Sequence, residues 1–474
     1  MLSIFPFKPT SNQLDAICGL SEFGESSFSK SIYVLKGYAG TGKTSLIAAY
    51  IQSLKVMGKT CVLMAPTGRA AKVLSAYSGE VAFTIHKSIY FQHKVEGRLQ
   101  FVLQKNKLSN AIFIVDEASM IGNSGALGGS FNSMERTLLD DLIQFVYSGK
   151  NCQLIFVGDT AQLPPVGSEL SPALDLNYLK SRYPLMVFST ELTEVTRQSL
   201  DSGILSNATI IRNQMQSQLK FPIFQLNGYK DVRRLIGEEI EETVSSCYSA
   251  DGIDSSIVIC RSNKQANAFN KYIRYSILYL EDELSAGDLL MVVKNNYYWL
   301  DQCNKTGFIA NGDVVEIRRV INFEERYEKR FATVSLVFSG ESVGHSEELE
   351  VKVLMDTLYT ETPSLGRVES NLFYEAVQKE YAHLRDRKER RDAIKKDPYF
   401  NALQIKFSYA ITCHKSQGGQ WKNVFVDQGY LTDEMINVEY LRWLYTAVTR
   451  SQKNLYLLNF HQKFFNEDYE GLIE

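Results

Sequence analysis

One run of residues restricts this chain more than any other: Gly37-Tyr38-Ala39-Gly40-Thr41-Gly42-Lys43-Thr44, a full GxxxxGK[ST] loop. It follows an apolar strand candidate, Ile32 to Leu35, and leads into the helical stretch SLIAAYIQSL with a stop at Gly58. A chance glycine-rich turn has no reason to carry that strand before it and that helix after it. The glycines let the backbone curl so that successive N–H groups face a β-phosphate, and the helix N-terminus adds partial positive charge. Lys43 then reaches the β/γ oxygens and Thr44 can hold Mg²⁺. Gly37, Ala39, Gly40, Thr41, Gly42, Lys43 and Thr44 are therefore the expected cradle for ATP.

The surroundings of the loop read as a parallel sheet covered on both faces. Between residues 31 and 166, helical stretches alternate with short apolar strands at Ile32 to Leu35, Cys61 to Ala65, Ile112 to Val115 and Leu154 to Val157. Each run ends in Gly, Pro or Asp, which gathers polar groups at the carboxyl ends of strands, the edge where open α/β sheets bind ligands. Further strands at Ile257 to Cys260, Val424 to Val426 and Leu455 to Leu458 predict a second such sheet. With 474 residues, the chain exceeds one ordinary core and suits two to four domains.

A magnesium-bound triphosphate needs one carboxylate for the metal and a second to orient water. Asp116 and Glu117 follow the strand IFIV, so Asp116 is expected to position Mg²⁺ together with Thr44, and Glu117 to polarise water. A third strand end, Gly158-Asp159-Thr160-Ala161-Gln162-Leu163-Pro164-Pro165, presents Gln162 on a loop stiffened by two prolines. Its uncharged amide suits sensing a γ-phosphate.

Composition excludes several classes. The net charge of −3 confines any nucleic-acid track to local patches. Seven cysteines are scattered without a CxxC pair or zinc spacing, as in a reduced, cytoplasmic protein. The N-terminal MLSIFPFKPT lacks a charged n-region and a cleavable apolar run, and no stretch of 18 apolar residues occurs, so neither secretion nor membrane association is expected.

Taken in order, these elements resemble superfamily 1 DNA helicases, most closely the RecD-like and Dda-like 5′-to-3′ branch. The resemblance covers nearly the whole chain and assigns further roles. Gln13, in Thr10-Ser11-Asn12-Gln13, looks like the adenine-reading residue, and Arg197, in Leu192 to Gln198, like a γ-phosphate arginine. Pro66 and Thr67, with Thr84 and His86, look like strand-gripping residues of the first domain. In Ala410 to Gly418, Thr412 and His414 would face DNA, while Gln417 and Gly418 would face nucleotide. Arg450, closing Tyr445 to Arg450, would be an arginine finger delivered across an interdomain cleft. Gly419-Gln420 departs from the pattern, since many relatives carry an acidic ribose contact there.

The implied fold is two RecA-like P-loop domains, parallel sheets flanked by helices, with insertions. The first domain is expected over 1–86 and 109–200, the second over 201–286 and 400–474. Residues 87–108 read as a hairpin with a turn at Val95-Glu96-Gly97, and 287–399 as an SH3-like barrel followed by a charged helix over 374–396. That helix mixes Arg385, Arg387, Lys388, Arg390, Arg391, Lys395 and Lys396 with acids, so a solvated face is favoured over a DNA contact. Tyr90, Phe91 and Phe101 on the hairpin have two readings, a strand-separating wedge or packing against the parent domain.

The resemblance implies an ATP- and Mg²⁺-dependent monomeric motor on single-stranded DNA and its junctions with duplex. Single-strand-binding or replication and repair proteins are candidate partners. Two rival readings stand beside it: a superfamily 1 motor acting on RNA, and a hydrolysis-defective, nucleotide-gated DNA-binding module.

Overall fold

The computed structural model describes the chain apart from residues 27–29, 96–97, 124–135, 197–200, 218–220, 303–308, 340–347 and 466–474. Two parallel sheets flanked by helices, a hairpin and a closed barrel make up the fold.

The first sheet draws on β1 (Ser31–Gly37), β2 (Cys61–Ala65), β3 (Ala82–Thr84), β6 (Ile112–Val115), β7 (Gln153–Gly158) and β8 (Met186–Leu192). Between β3 and β6 in sequence lies a two-stranded ribbon of β4 (Tyr90–Val95) and β5 (Arg98–Leu103). The sheet order is β3-β2-β6-β7-β1-β8, every pair parallel. Strands β6 and β7 are buried along their whole length, since helices cover both faces. One core, around Leu46, Ile47, Leu63, Leu74 and Ile155, fills one face, and a second, around Ile32, Met64, Phe113, Leu142 and Phe156, fills the other. The phosphate loop, Asp116, Asp159, Thr67 and Thr84 all follow or end strands at their carboxyl ends, so the topology collects them on one edge.

The second sheet is formed by β9 (Val232–Leu235), β10 (Ser256–Cys260), β16 (Ala410–Thr412), β17 (Trp421–Asp427) and β18 (Ser451–Leu458), in the order β16-β10-β17-β18-β9 and again parallel. Between β10 and β16 the chain builds a closed barrel from β11 (Leu289–Val292), β12 (Val314–Arg326), β13 (Lys329–Phe338), β14 (Leu349–Leu354) and β15 (Leu403–Phe407). β15 closes the barrel from beyond residue 399, where the sequence placed the second domain. A short apolar strand carries no mark of which sheet it joins, so only its pairing with β11 and β14 reveals it.

The expected charged helix is two helices, Arg367–Glu380 and Arg387–Lys396. Phe373, Val377 and Ile394 pack them on Phe331 of the barrel. Arg387 and Lys388 are exposed, and Arg390 and Arg391 donate to backbone carbonyls of their own segment.

Candidate active site

The phosphate loop turns through Gly40 and Gly42, whose φ angles of 76° and 80° lie where L side chains are rarely found. A Cβ on Gly42 would also come within 2.5 Å of Gln13 Nε2. Gln13 is buried: its Nε2 donates to Thr41 O (2.9 Å), and its Oε1 accepts from Thr10 N (3.0 Å) within the capping box of helix Ser11–Glu25. The expected base-reading residue thus braces the phosphate loop from behind. Lys43 Nζ donates to Gly37 O (2.5 Å) and Tyr38 O (2.8 Å) and lies 3.9 Å from Asp159 Oδ2. Thr44 is exposed in the first turn of helix Lys43–Val56.

Asp116 accepts hydrogen bonds from Tyr77 OH (2.6 Å) and Glu117 N (2.8 Å), which fix its carboxylate at the end of β6. Glu117 has φ 51°, a left-handed conformation uncommon for a residue with a side chain and typical of sites that hold strain for function. Burial pushes both carboxyls above their ordinary range, opposed at Glu117 by Arg450 and then Lys43. Asp116 and Thr44 offer hard oxygens, and a phosphate-bound Mg²⁺ takes one or two carboxylates with the rest of its shell from phosphate and water, so these residues fit that ion.

The second domain closes the site. Arg450 is buried, held by Thr446 O (3.0 Å), Thr449 Oγ1 (3.2 Å) and Gly419 O (3.3 Å), and its Nη1 stands 3.8 Å from Glu117 Oε1. The phosphate loop and the finger candidate therefore face one cleft. Tyr445 OH accepts from Ala39 N (2.8 Å) and donates to Asp159 Oδ2 (2.8 Å), tying the second domain to the loop and to the carboxylate beside Lys43. Thr446 Oγ1 accepts from Leu163 N (2.8 Å) while Gln417 Nε2 donates to Leu163 O (2.7 Å), so both backbone groups of one residue are clamped from across the cleft. Gln417 thus meets the loop that carries Gln162. Gln162 itself is buried, and its side-chain oxygen has no hydrogen-bond partner among the described residues.

Gly418, expected to face nucleotide, packs against Thr67 and Ala70 of the first domain. With φ 71°, a Cβ there would sit 2.7 Å from Ala70 Cβ and 3.2 Å from Thr67 Oγ1. Thr67 caps helix Gly68–Ser78 through Ala70 N (3.2 Å), and Thr84 caps Ile85–Ile89 through Lys87 N (3.2 Å), so both hydroxyls sit at helix N-termini. Pro66 is half-buried beside Thr67, and the His86 ring lies 5.7 Å from that of Tyr90. Thr412 ends β16 half-buried, and His414 is exposed two residues on. Arg197 lies outside the described residues, but Thr196 N donates to Gly40 O (3.0 Å), which brings the chain to the phosphate loop one residue earlier.

On the hairpin, Tyr90 is buried and donates to Asp141 Oδ2 (2.7 Å), so it anchors the ribbon to helix Leu138–Ser148 rather than standing at a junction. Phe91 is 41% exposed and pairs with Val102, whereas Phe101 pairs with Gln92; the two phenylalanines occupy adjacent rungs. The side chain of Phe101 lies outside the described residues. Sequence reasoning passed over Tyr77, Asp159, Tyr445 and Thr446. Asp159 and the Tyr445-Thr446 pair stood inside quoted motifs, whereas Tyr77 sits in an ordinary helix with no signal of its own.

Two parallel-sheet domains that close on one phosphate loop define a two-domain P-loop NTPase. The model described as an AAA domain matches residues 22–168, and that described as a UvrD-like helicase C-terminal domain matches residues 407–458. The ATP-dependent DNA helicase dda of Enterobacteria phage T4 is 28% identical over 269 residues, 54% of this chain and 55% of that protein. The ATP-dependent RecD2 DNA helicase of Deinococcus radiodurans is 32% identical over 180 residues, 37% of this chain and 21% of that one. The chain thus spans about half the length of the first and a fifth of the second. Among solved structures, the Pif1 helicase from Candida albicans aligns at 16% identity and a TM-score of 0.47, covering 98% of this chain and 97% of that one. These likenesses, each over part of the chain, support a superfamily 1 helicase of the RecD-like and Dda-like branch.

Proposed function

We propose that this protein is an ATP-driven motor that moves along single-stranded DNA, 5′ to 3′, and unwinds duplex at the junction. The observation that carries this reading is the shared cleft, where Glu117 lies 3.8 Å from Arg450 of the opposite domain and on the same edge as Lys43. Lys43 and the loop amides bind the phosphates; Asp116 and Thr44 would hold Mg²⁺, which would supply positive charge to offset that of the phosphate oxygens. Glu117 orients the attacking water and takes its proton. Arg450 meets charge that develops on the transferred group, a contribution worth about 10³- to 10⁵-fold in related enzymes.

Because Tyr445, Thr446 and Gln417 join the two domains at the loops that touch phosphate, a change in the phosphates shifts the second domain against the first. Thr67 and Thr84 on one domain, and Thr412 and His414 on the other, then alternate their hold on the strand. Grip on phosphates and stacked bases is tolerant of sequence, so no base preference is expected. The 5′-to-3′ polarity rests on the family resemblance alone. A monomer acting at single-strand to duplex junctions is the working unit, with single-strand-binding or replication and repair proteins as candidate partners. Among the described residues no helix is long and apolar enough to cross a membrane.

A strand-displacement assay on duplexes with a 5′ or a 3′ single-stranded tail tests the proposal. Displacement of the 5′-tailed substrate with ATP is expected, and displacement from the 3′ tail alone reverses the polarity. Comparing DNA and RNA oligonucleotides as ATPase stimulators distinguishes the RNA-directed alternative.

A further inference from the structure

Arg69 stands in the first turn of helix Gly68–Ser78 of the first domain, two residues after the cap Thr67. Its guanidinium reaches across the seam and lies over the Trp421 ring of the second domain, with 4.5 Å from Cζ to the ring centroid. Trp421 is itself buried. A planar cation over an indole face is the strongest form of this contact, more so where water is excluded.

The stem of Arg69 bears on the backbone two residues before that ring. A Cβ on Gly419 would come within 2.7 Å of Arg69 Cδ and 2.5 Å of Trp421 Cη2, so the arginine and the indole fill the place of a side chain. That crowding gives Gly419 a physical reason to depart from the family pattern. Both residues that Arg69 touches also hold Arg450. Gly419 O accepts from Arg450 Nη1 (3.3 Å), and Trp421 N donates to Arg450 O (3.0 Å). The first bond restrains the guanidinium that stands 3.8 Å from Glu117, and the second restrains its backbone.

A first-domain residue thus presses on two of the points from which the opposite domain's arginine is held. Arg69 Nη1 is buried without a hydrogen-bond partner among the described residues. Burial lowers the group to about 10, offset in part by Asp313 of the barrel. A buried cation with a spare donor costs stability, so folding alone gives little reason for arginine at this place.

We propose that Arg69 is a positioning residue for hydrolysis: by stacking on Trp421 and backing Gly419, it sets Arg450 against the transferred phosphate when the two domains close. The inference rests on the motor reading above, in which Arg450 meets the charge of the transferred group. In this role Arg69 acts through Arg450 and makes no contact with the reacting atoms.

The test is steady-state ATP hydrolysis, at saturating thymidine oligonucleotide, by wild type, Arg69→Ala, Arg450→Ala and the double variant. Rates are expressed per site that binds a fluorescent ATP analogue. Arg69→Ala is expected to lower kcat about tenfold and to leave KM for ATP within about twofold, the loss of one shielded cation–π contact that counts only in the transition state. In the Arg450→Ala background the same change should have no further effect, because residues that act as one unit are not additive. If Arg69→Ala alone keeps the wild-type kcat, or if its loss multiplies onto that of Arg450→Ala, Arg69 is packing and the proposal fails while the motor reading stands. Should Arg69→Ala not fold, Arg69→Gln, which keeps part of the stem and loses the cation, is judged by the same two criteria. Arg450→Ala hydrolysing at the wild-type rate would overturn the motor reading, and this role with it.

Discussion

The second domain meets two neighbours, the first domain and the barrel, and it holds them by different means. At the first-domain seam single polar bonds join a small apolar contact: Tyr445 to Ala39 and Asp159, Thr446 and Gln417 to Leu163, and Arg450 at 3.8 Å from Glu117. Ala161 and Leu163 reach from the first domain into the core around Val424 and Leu444. At the barrel joint a single core runs from Val244, Val258 and Phe425 of the second domain through Leu290, Val315, Val334 and Leu403 of the barrel. Within it lies a fully buried ion pair, Arg274 Nε to Asp288 Oδ1 at 2.8 Å, whose carboxylate also accepts from Tyr409 OH (2.9 Å) and Ser285 N (2.7 Å). Polar bonds can be exchanged for water or phosphate at little net change, whereas an extensive continuous core with a buried ion pair cannot. The proposed motor needs the first seam to change partners and the second to keep barrel and domain as one body.

That contrast can be broken by mutation. The largest effect belongs to the seam's chemistry: Lys43→Ala and Glu117→Gln should each lower ATP hydrolysis by more than about 10²-fold, and Glu117→Gln should still bind nucleotide. A fluorescent ATP analogue measures the second half, and lost binding would make Glu117 structural. Next comes the joint, where Asp288→Ala strands the Arg274 charge and should cost about 3–5 kcal/mol in urea unfolding. A cost below about 1 kcal/mol would mean that the joint is no firmer than the seam.

Tyr445→Phe keeps the buried ring but deprives Ala39 N and Asp159 of a partner, a change worth about 1–3 kcal/mol. It should act on kcat and on stimulation by DNA more than on KM for ATP. Equal changes in both would reduce Tyr445 to packing. The smallest effect is expected at the hairpin: Phe91→Ala should lower strand displacement per ATP hydrolysed a few-fold and leave translocation on single strands intact. Full displacement in this variant would remove Phe91 from the wedge.

The two seams also differ in how much of them the sequence disclosed. Nucleotide chemistry demands particular residue types at particular strand ends, so Lys43, Asp116 and Glu117 could be found from local pattern, whereas Arg450 came from the family resemblance; all four face one cleft. What escaped was the bracing, because Gln13, Tyr77 and Tyr445 act through partners 28, 39 and 406 residues away that no local window contains. Gly418 shows the same limit: its motif is visible, but its neighbours Thr67 and Ala70 come from the other domain. The barrel was recognisable by its short strands and turns, yet its closing strand was not, since β15 is set by pairing rather than by composition. The Arg274–Asp288 pair left no trace in the sequence, as an arginine and an aspartate 14 residues apart are ordinary.

The central claim is that a single nucleotide is worked on by both domains and that DNA controls that work. Steady-state ATP hydrolysis by wild type and Arg450→Ala, with and without a thymidine oligonucleotide, tests it most directly. The wild-type rate should rise many-fold with DNA, and the variant should bind nucleotide yet fail to respond. A wild-type rate indifferent to DNA, or an Arg450→Ala rate equal to wild type, would contradict the account.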